Sequence, residues 1–171
     1  MSDCARIKQL RRTYAENVCF VANVTHPGVL EAFANVPKEL FLGDGPWRVL
    51  DRFGYFDRQV YFSTADASPE HLYHDTLVAI DESRGINSGG PSFHAFVNRV
   101  IKLNPNESVV HIGCGVGYYS AIYAELVGTA GKVTAIEIED VLAVRAKQNL
   151  SRWSNTIVLS QDGSIYDPAP F

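Results

Sequence analysis

The sequence predicts an α/β fold, and three observations carry that prediction. An apolar run at 109–112 stops at glycines on alternate positions, Gly113, Gly115 and Gly117. Tyr119, Ile122, Tyr123, Leu126 and Val127 then recur at helical spacing. A second run, 132–138, carries Glu137 at its tip, and a third, 156–159, ends at Gln161-Asp162-Gly163. Strand, glycine turn, helix, strand, helix, strand is the order of a Rossmann-like parallel sheet.

The glycine turn suggests chemistry as well as shape. Glycine lets the backbone take unusual dihedrals and lets a ligand come close, and the following helix aims unpaired N–H groups at the same spot. Such a turn also serves plain helix–strand packing. An acid about twenty residues further on, at the second strand's tip, is where a ribose hydroxyl pair is held, and Glu137 stands there. The dinucleotide fingerprint has its third glycine where Tyr118 stands, so the pattern suits a cofactor without a pyrophosphate and disfavours a nicotinamide-dependent oxidoreductase.

Residues 109–121, then Gly131-Lys132-Val133 leading to Glu137, then Gln161-Asp162-Gly163 give the chain a specific likeness. It resembles the class I S-adenosylmethionine-dependent methyltransferases, and within them the protein-L-isoaspartate O-methyltransferase family. Ala32-Phe33, Val36-Pro37-Lys38 and Phe41 extend the resemblance towards the N-terminus. It implies S-adenosylmethionine as cofactor, with the methionine part held along Gly113, Cys114, Gly115, Gly117 and Tyr118. It further implies the ribose on Glu137, the adenine under Asp162 and Gly163, and His94 as a further contact. In that family the loop before the next helix reads Ile-Ser-Ala-Pro and a His-Ala pair follows. Here Pro91 and His94-Ala95 align, Gly89-Gly90 stand in place of Ser-Ala, and Ser88 recovers the hydroxyl if the loop holds one extra residue. Ser88 is thus the catalytic candidate, orienting the acceptor. For His94, a backbone-bonded helix histidine is an equal alternative. For Cys114, a small residue filling the turn is a simpler role than a nucleophile.

The implied reaction is methylation of a carboxylate on a damaged or modified peptide, a protein-repair activity. A carboxylate is ionised at neutral pH and needs no general base, and no residue stands out as one. Two alternatives stay open: a methyltransferase of the same fold with another small-molecule or peptide acceptor, and a non-catalytic binding module.

Composition agrees with one globular protein. The 171 residues are 46% apolar and 20% charged, with a net charge of −4 and a pI near 5.7, which leaves no general footprint for nucleic acid. Cys4, Cys19 and Cys114 are odd in number and lack metal-ligand spacing, so neither a disulfide framework nor a metal site is expected, and a cytoplasmic location fits. No apolar run reaches the roughly 18 residues of a membrane span.

Along the chain, Ile7, Leu10, Tyr14 and Val18 predict a helix over 4–20, started by Ser2 or Asp3. His26-Pro27 restarts a helix with Val29, Leu30, Phe33 and Val36 on one face, closed by Pro37. Residues 43–69 show no period, and their rings (Trp47, Phe53, Tyr55, Phe56, Tyr61, Phe62) are either anchors or the lining of a substrate groove. A short strand at 76–80 and a helix over 92–103 follow. The organisation expected is a helical cap with an aromatic segment at 1–72 and a partial cofactor-binding α/β domain at 73–171. The sheet is incomplete after its third strand, so the first strand's edge is open. That edge is expected to be covered by further chain or, in a homo-oligomer, by another copy.

Overall fold

The computed structural model describes residues 3–53 and 60–167. Ser2, Tyr55, Phe56 and residues 168–171, named above, lie outside the described residues. The chain forms two compact units, Met1–Val100 and Ile101–Phe171.

The first unit begins with α1 (Asp3–Val21), α2 (Pro27–Asn35) and α3 (Glu39–Leu42). His26 caps α2 by accepting the Gly28 N–H on Nδ1 at 3.1 Å, and Pro27 occupies the first turn, where its missing N–H costs nothing. Tyr14, Ala15 and Val18 of α1 and Val29, Ala32 and Phe33 of α2 are buried, with the Tyr14 and Phe33 rings edge to face at 6.2 Å. The one-turn helix α3 is absent from the sequence reading, because four residues after a proline carry no period.

Residues 43–53 and 60–69 are more ordered than their sequence suggests. β1 (Arg48–Leu50) pairs antiparallel with β2 (Tyr61–Ser63), and Val49 also bridges Val78. The aromatic residues divide. Trp47 and Tyr61 are buried anchors, whereas Phe53 and Phe62 are 97% and 52% exposed and line a hollow of about 580 Å³ with Arg52, His74 and Asp75. The expected strand at 76–80 is displaced: β3 is Ala79–Asp81, paired antiparallel with β4 (Ile86–Asn87). Helix α4 (Pro91–Ile101) starts one residue before the expected position and ends two before it.

The second unit is the expected α/β arrangement. Strands β5 (Ser108–Ile112), β6 (Lys132–Glu137) and β7 (Thr156–Ser160) form a parallel sheet in the order β5-β6-β7, with Val110 opposite Thr134 and Thr134 opposite Ile157. Helices α5 (Tyr118–Val127) and α6 (Asp140–Asn149) connect the strands. From Val133 onwards β6 is buried at every residue, as a central parallel strand covered on both faces should be. Helix α5 departs from the single stripe its period suggested. Every residue except Glu125 is buried. Among the described residues β5 pairs on one side only, and no helix is long and apolar enough to cross a membrane.

Candidate cofactor site

The turn after β5 is held by the strand beside it. The carbonyl of Ile136 accepts the N–H groups of both Gly113 and Cys114, at 2.8 and 3.0 Å. Gly113 has φ +74° and Gly117 φ +94°, the left-handed region that side chains disfavour. The two glycines meet different surroundings. A Cβ on Gly117 would lie 3.0 Å from Leu150 Cγ and Cδ1, whereas a Cβ on Gly113 would meet nothing within 4 Å. Open space therefore stands over the first glycine and packed protein over the third. Asn149 at the end of α6 fixes the other side of the turn by donating to the Val116 carbonyl at 2.9 Å.

Glu137 ties these parts together. Its side chain is 6% exposed, and Oε2 accepts the Gly115 N–H at 2.7 Å while Oε1 accepts the Glu139 N–H at 3.0 Å. Its own carbonyl accepts from Gln161 N at 3.0 Å, which joins the end of β7 to the same point. A carboxylate has about four lone-pair positions, so two remain for a ligand's hydroxyl pair after these two bonds.

Above the strand ends lies a hollow of about 380 Å³, lined by Ile112, Gly113, Ile136, Ile138, Asp162 and Gly163 among others. That is within the range of roughly 300–1,000 Å³ for small-molecule sites. Ile112 and Ile138 are 60% and 63% exposed, an apolar surface for a flat ring. Asp162 Oδ1 accepts the Ser164 N–H at 2.8 Å, which shapes the turn and holds its carboxyl below the usual range. Gly163 is required for closeness, since a Cβ there would come within 2.4 Å of Ile112 Cγ2. Turn, acid and hollow together fit an adenosyl group: an apolar face, two acceptors for hydroxyls, and an acceptor at the rim.

Two neighbours of the turn are inert. Burial, reinforced by the Glu137 charge, pushes the Cys114 thiol up to about 12, so it is no nucleophile at neutral pH. His111 on β5 is driven down to about 4 by burial and stays neutral, its Nδ1 2.8 Å from Ser120 Oγ and its ring edge-on to Tyr123. Ile138 and Ser164 line the hollow without having been singled out from sequence, and Gln161, part of the motif that ends the third strand, lines it too. Their position directly after the expected strand tips was the available signal.

Ser88 and His94 belong to the first unit. Ser88 Oγ accepts the Val78 N–H at 3.0 Å and donates to the Gly89 carbonyl at 3.3 Å, so the hydroxyl helps to pin its own loop. His94 is half-buried on α4, its ring edge-on to Phe93 at 5.7 Å. Its carbonyl accepts from Asn98 Nδ2 at 2.9 Å.

Comparison with known proteins identifies the lineage. The family described as protein-L-isoaspartate(D-aspartate) O-methyltransferase matches residues 46–170. The chain belongs to that family. A protein-L-isoaspartate O-methyltransferase of Archaeoglobus fulgidus is 36% identical over 115 residues, covering 60% of this chain and 53% of that protein. One from Ignicoccus hospitalis is 29% identical over 170 residues, covering 95% of this chain and 67% of that protein. A solved protein-L-isoaspartate O-methyltransferase structure superposes with a TM-score of 0.65 at 23% identity, covering 87% of this chain and 42% of the other. A Plasmodium falciparum structure described as a methyltransferase of this kind, in complex with S-adenosyl-L-homocysteine, superposes with a TM-score of 0.63 at 17% identity. It covers 92% of this chain and 65% of the other. These structures show the class I methyltransferase fold. The chain spans about half to two thirds of the length of the curated relatives it matches.

Proposed function

We propose that this protein is an S-adenosylmethionine-dependent O-methyltransferase acting on a carboxylate of an altered peptide, with isoaspartyl peptide as the first acceptor to test. The observation that carries the reading is Glu137, buried at the end of β6 between two residues that line the hollow, Ile136 and Ile138, with its carboxylate on the Gly115 N–H at 2.7 Å. In this reading its remaining lone pairs take the ribose hydroxyls, Ile138 and Gly163 face the adenine, and Asp162 accepts from the adenine's amino group. The open side of Gly113 admits the methionine part, with Cys114, Gly115, Gly117 and Tyr118 giving the turn its shape. When bound, S-adenosylmethionine supplies a methyl group already activated by a sulfonium. The chain's own task is to hold the acceptor carboxylate in line and exclude water. An ionised carboxylate needs no base; Ser88 is the candidate for orienting it and His94 a candidate cofactor contact, both carried over from the family's motif.

The test has two stages. Calorimetry with S-adenosylhomocysteine gives saturable binding, and Glu137→Ala abolishes it. Transfer of labelled methyl to an isoaspartyl peptide, with the normal aspartyl peptide as control, gives a base-labile ester on the first alone. Absence of binding refutes the cofactor assignment and supports a non-catalytic module.

One observation favours a second reading, in which the fold methylates another carboxylate acceptor. The Ser88 hydroxyl is engaged by the Val78 N–H, and glycines follow it. A panel of carboxylate acceptors separates the two, since isoaspartyl peptide should be the best substrate only under the first. For the open edge of β5 we infer a further parallel strand, from more chain or from a second copy. Light scattering on the purified chain tells which, because a monomer excludes the copy. Three free cysteines suit a reducing cytoplasm.

A further inference from the structure

The hollow of about 580 Å³ in the first unit is larger than the one above the strand ends and has no part in holding the cofactor. Its size falls in the range of roughly 300–1,000 Å³ for built binding sites. Residues of β1 and β2 and of the stretch 71–76 line it. Trp47 and Tyr61 take the buried places that this segment offers to aromatic rings. Phe53 and Phe62 line the hollow instead and stay in water, 97% and 52% exposed. Apolar rings left exposed beside a concave surface mark a place where something docks.

The polar groups of the lining decide what that is. Asp75 Oδ1 accepts the Ser92 N–H at 2.9 Å, and Asp51 Oδ1 accepts the Phe53 N–H at 2.9 Å. His71 Nε2 lies 2.9 Å from Asp66 Oδ1, and Thr64 Oγ1 accepts the Trp47 N–H at 3.0 Å. Arg52 is only partly engaged. Its Nη2 donates to the Asp75 carbonyl at 2.7 Å and approaches Oδ2 at 3.4 Å, from a side chain 59% exposed. Its Nε and Nη1 make no bond among the described residues, although a guanidinium carries five N–H donors in all. One guanidinium stands with two carboxylates in this lining, so an anion would meet a net negative field. A neutral acceptor, a peptide carbonyl, suits the remaining donors.

The hollow is also tied to the Ser88 loop at two points. Asp75, in its wall, holds Ser92 in the first turn of α4. Val49 of β1, also in its wall, bridges Val78. Val78 in turn donates its N–H to Ser88 Oγ at 3.0 Å and accepts from Ser88 N at 2.8 Å.

We propose that this hollow is a peptide-binding subsite: it takes an apolar side chain flanking the acceptor residue, against Phe53 and Phe62, while Arg52 donates to a carbonyl of the same peptide. That the bound peptide is methylated rests on the function proposed above; that the hollow takes an apolar peptide side chain does not.

The test uses short isoaspartyl peptides on an alanine background, with one phenylalanine moved through the positions around the isoaspartate, and the all-alanine peptide as reference. Binding to the full chain is followed by NMR at the amides of Phe53, Phe62 and Ala65, and turnover by methyl transfer. In the parent protein, phenylalanine at one position shifts those amides and lowers Kd and KM about tenfold or more, since the ring leaves water. Phe62→Ala and Phe53→Ala each remove most of that preference. Both rings are exposed, so both variants fold, and their kcat and S-adenosylhomocysteine affinity stay within about twofold of the parent. Arg52→Met weakens every peptide by a similar factor and leaves the preference for the ring. A parent without a preference at any position, a preference that survives removal of both rings, or shifts confined to other amides overturns the proposal. Shifts at these amides that follow protein concentration without peptide assign the hollow to a second copy and overturn it too. A parent that binds the ring-bearing peptide here but transfers no methyl group refutes the function above and leaves the subsite standing.

Discussion

Replacing Glu137 with glutamine probes the join between β6 and the glycine turn. The carboxylate accepts two backbone N–H bonds, from Gly115 at 2.7 Å and Glu139 at 3.0 Å, in a site 6% exposed. The amide keeps one oxygen and sets an NH₂ group against the other N–H, so one bond is lost and a buried donor is left unpaired. A hydrogen bond to a charged group contributes about 1.5–3 kcal/mol, and an orphaned buried donor costs about 1–3 kcal/mol. The same lost pair underlies both figures, so the expected destabilisation is about 3 kcal/mol. At roughly 2–4 °C per kcal/mol for a chain of this size, Tm falls by about 6–12 °C. Calorimetric melting and amide exchange at Gly115 and Glu139 are the assays. If the variant melts within about 2 °C of the parent and protection at Gly115 is unchanged, the side chain is not what holds the turn. S-adenosylhomocysteine affinity should fall at least tenfold, about 1.4 kcal/mol, because an amide offers the ribose one acceptor in place of two.

The two glycines make a matched pair. Gly113→Ala carries a left-handed backbone cost of about 1–2 kcal/mol and no clash, so it should fold, with its methyl group in the open space and ligand binding lost. Gly117→Ala adds contact with Leu150 at 3.0 Å and should lose a further 1–3 kcal/mol or so of stability; equal melting temperatures for the two would contradict this. His111 gives a pH signature. Its pKa is about 4 in the fold against 6.5 unfolded, so below 6.5 the unfolded chain binds the extra proton. Stability contributed by this group is whole above that value and declines on acidification by up to about 1.4 kcal/mol per pH unit until about pH 4. His111→Asn should flatten that limb of an acid unfolding curve, and an unchanged limb refutes the assignment.

The run from β5 to the start of α5 was legible because its signal is local. Three glycines, an apolar strand and a helical period lie within twenty residues or so, and Glu137 follows at a fixed distance. The burial of α5 on nearly all sides was not legible, since a period identifies one apolar face and says nothing of what covers the rest. Strands β1 and β2 escaped because three residues show no alternation, and their pairing joins Arg48 to Ser63 across an intervening segment. The exclusion of Lys38 from water was equally hidden. Its ammonium lies over the ring of Tyr14, far earlier in the chain. Glu137 was recognised for its place, while its two backbone bonds emerged only once strand and turn were seen together.

Those two bonds bear on how fast a ligand could be captured. With the turn already fastened to β6, no rearrangement of the Gly113–Gly117 backbone has to precede binding there. Encounter at this spot should then proceed at the ordinary rate for docking on a rigid surface, and differences among ligands should show in how long each one stays.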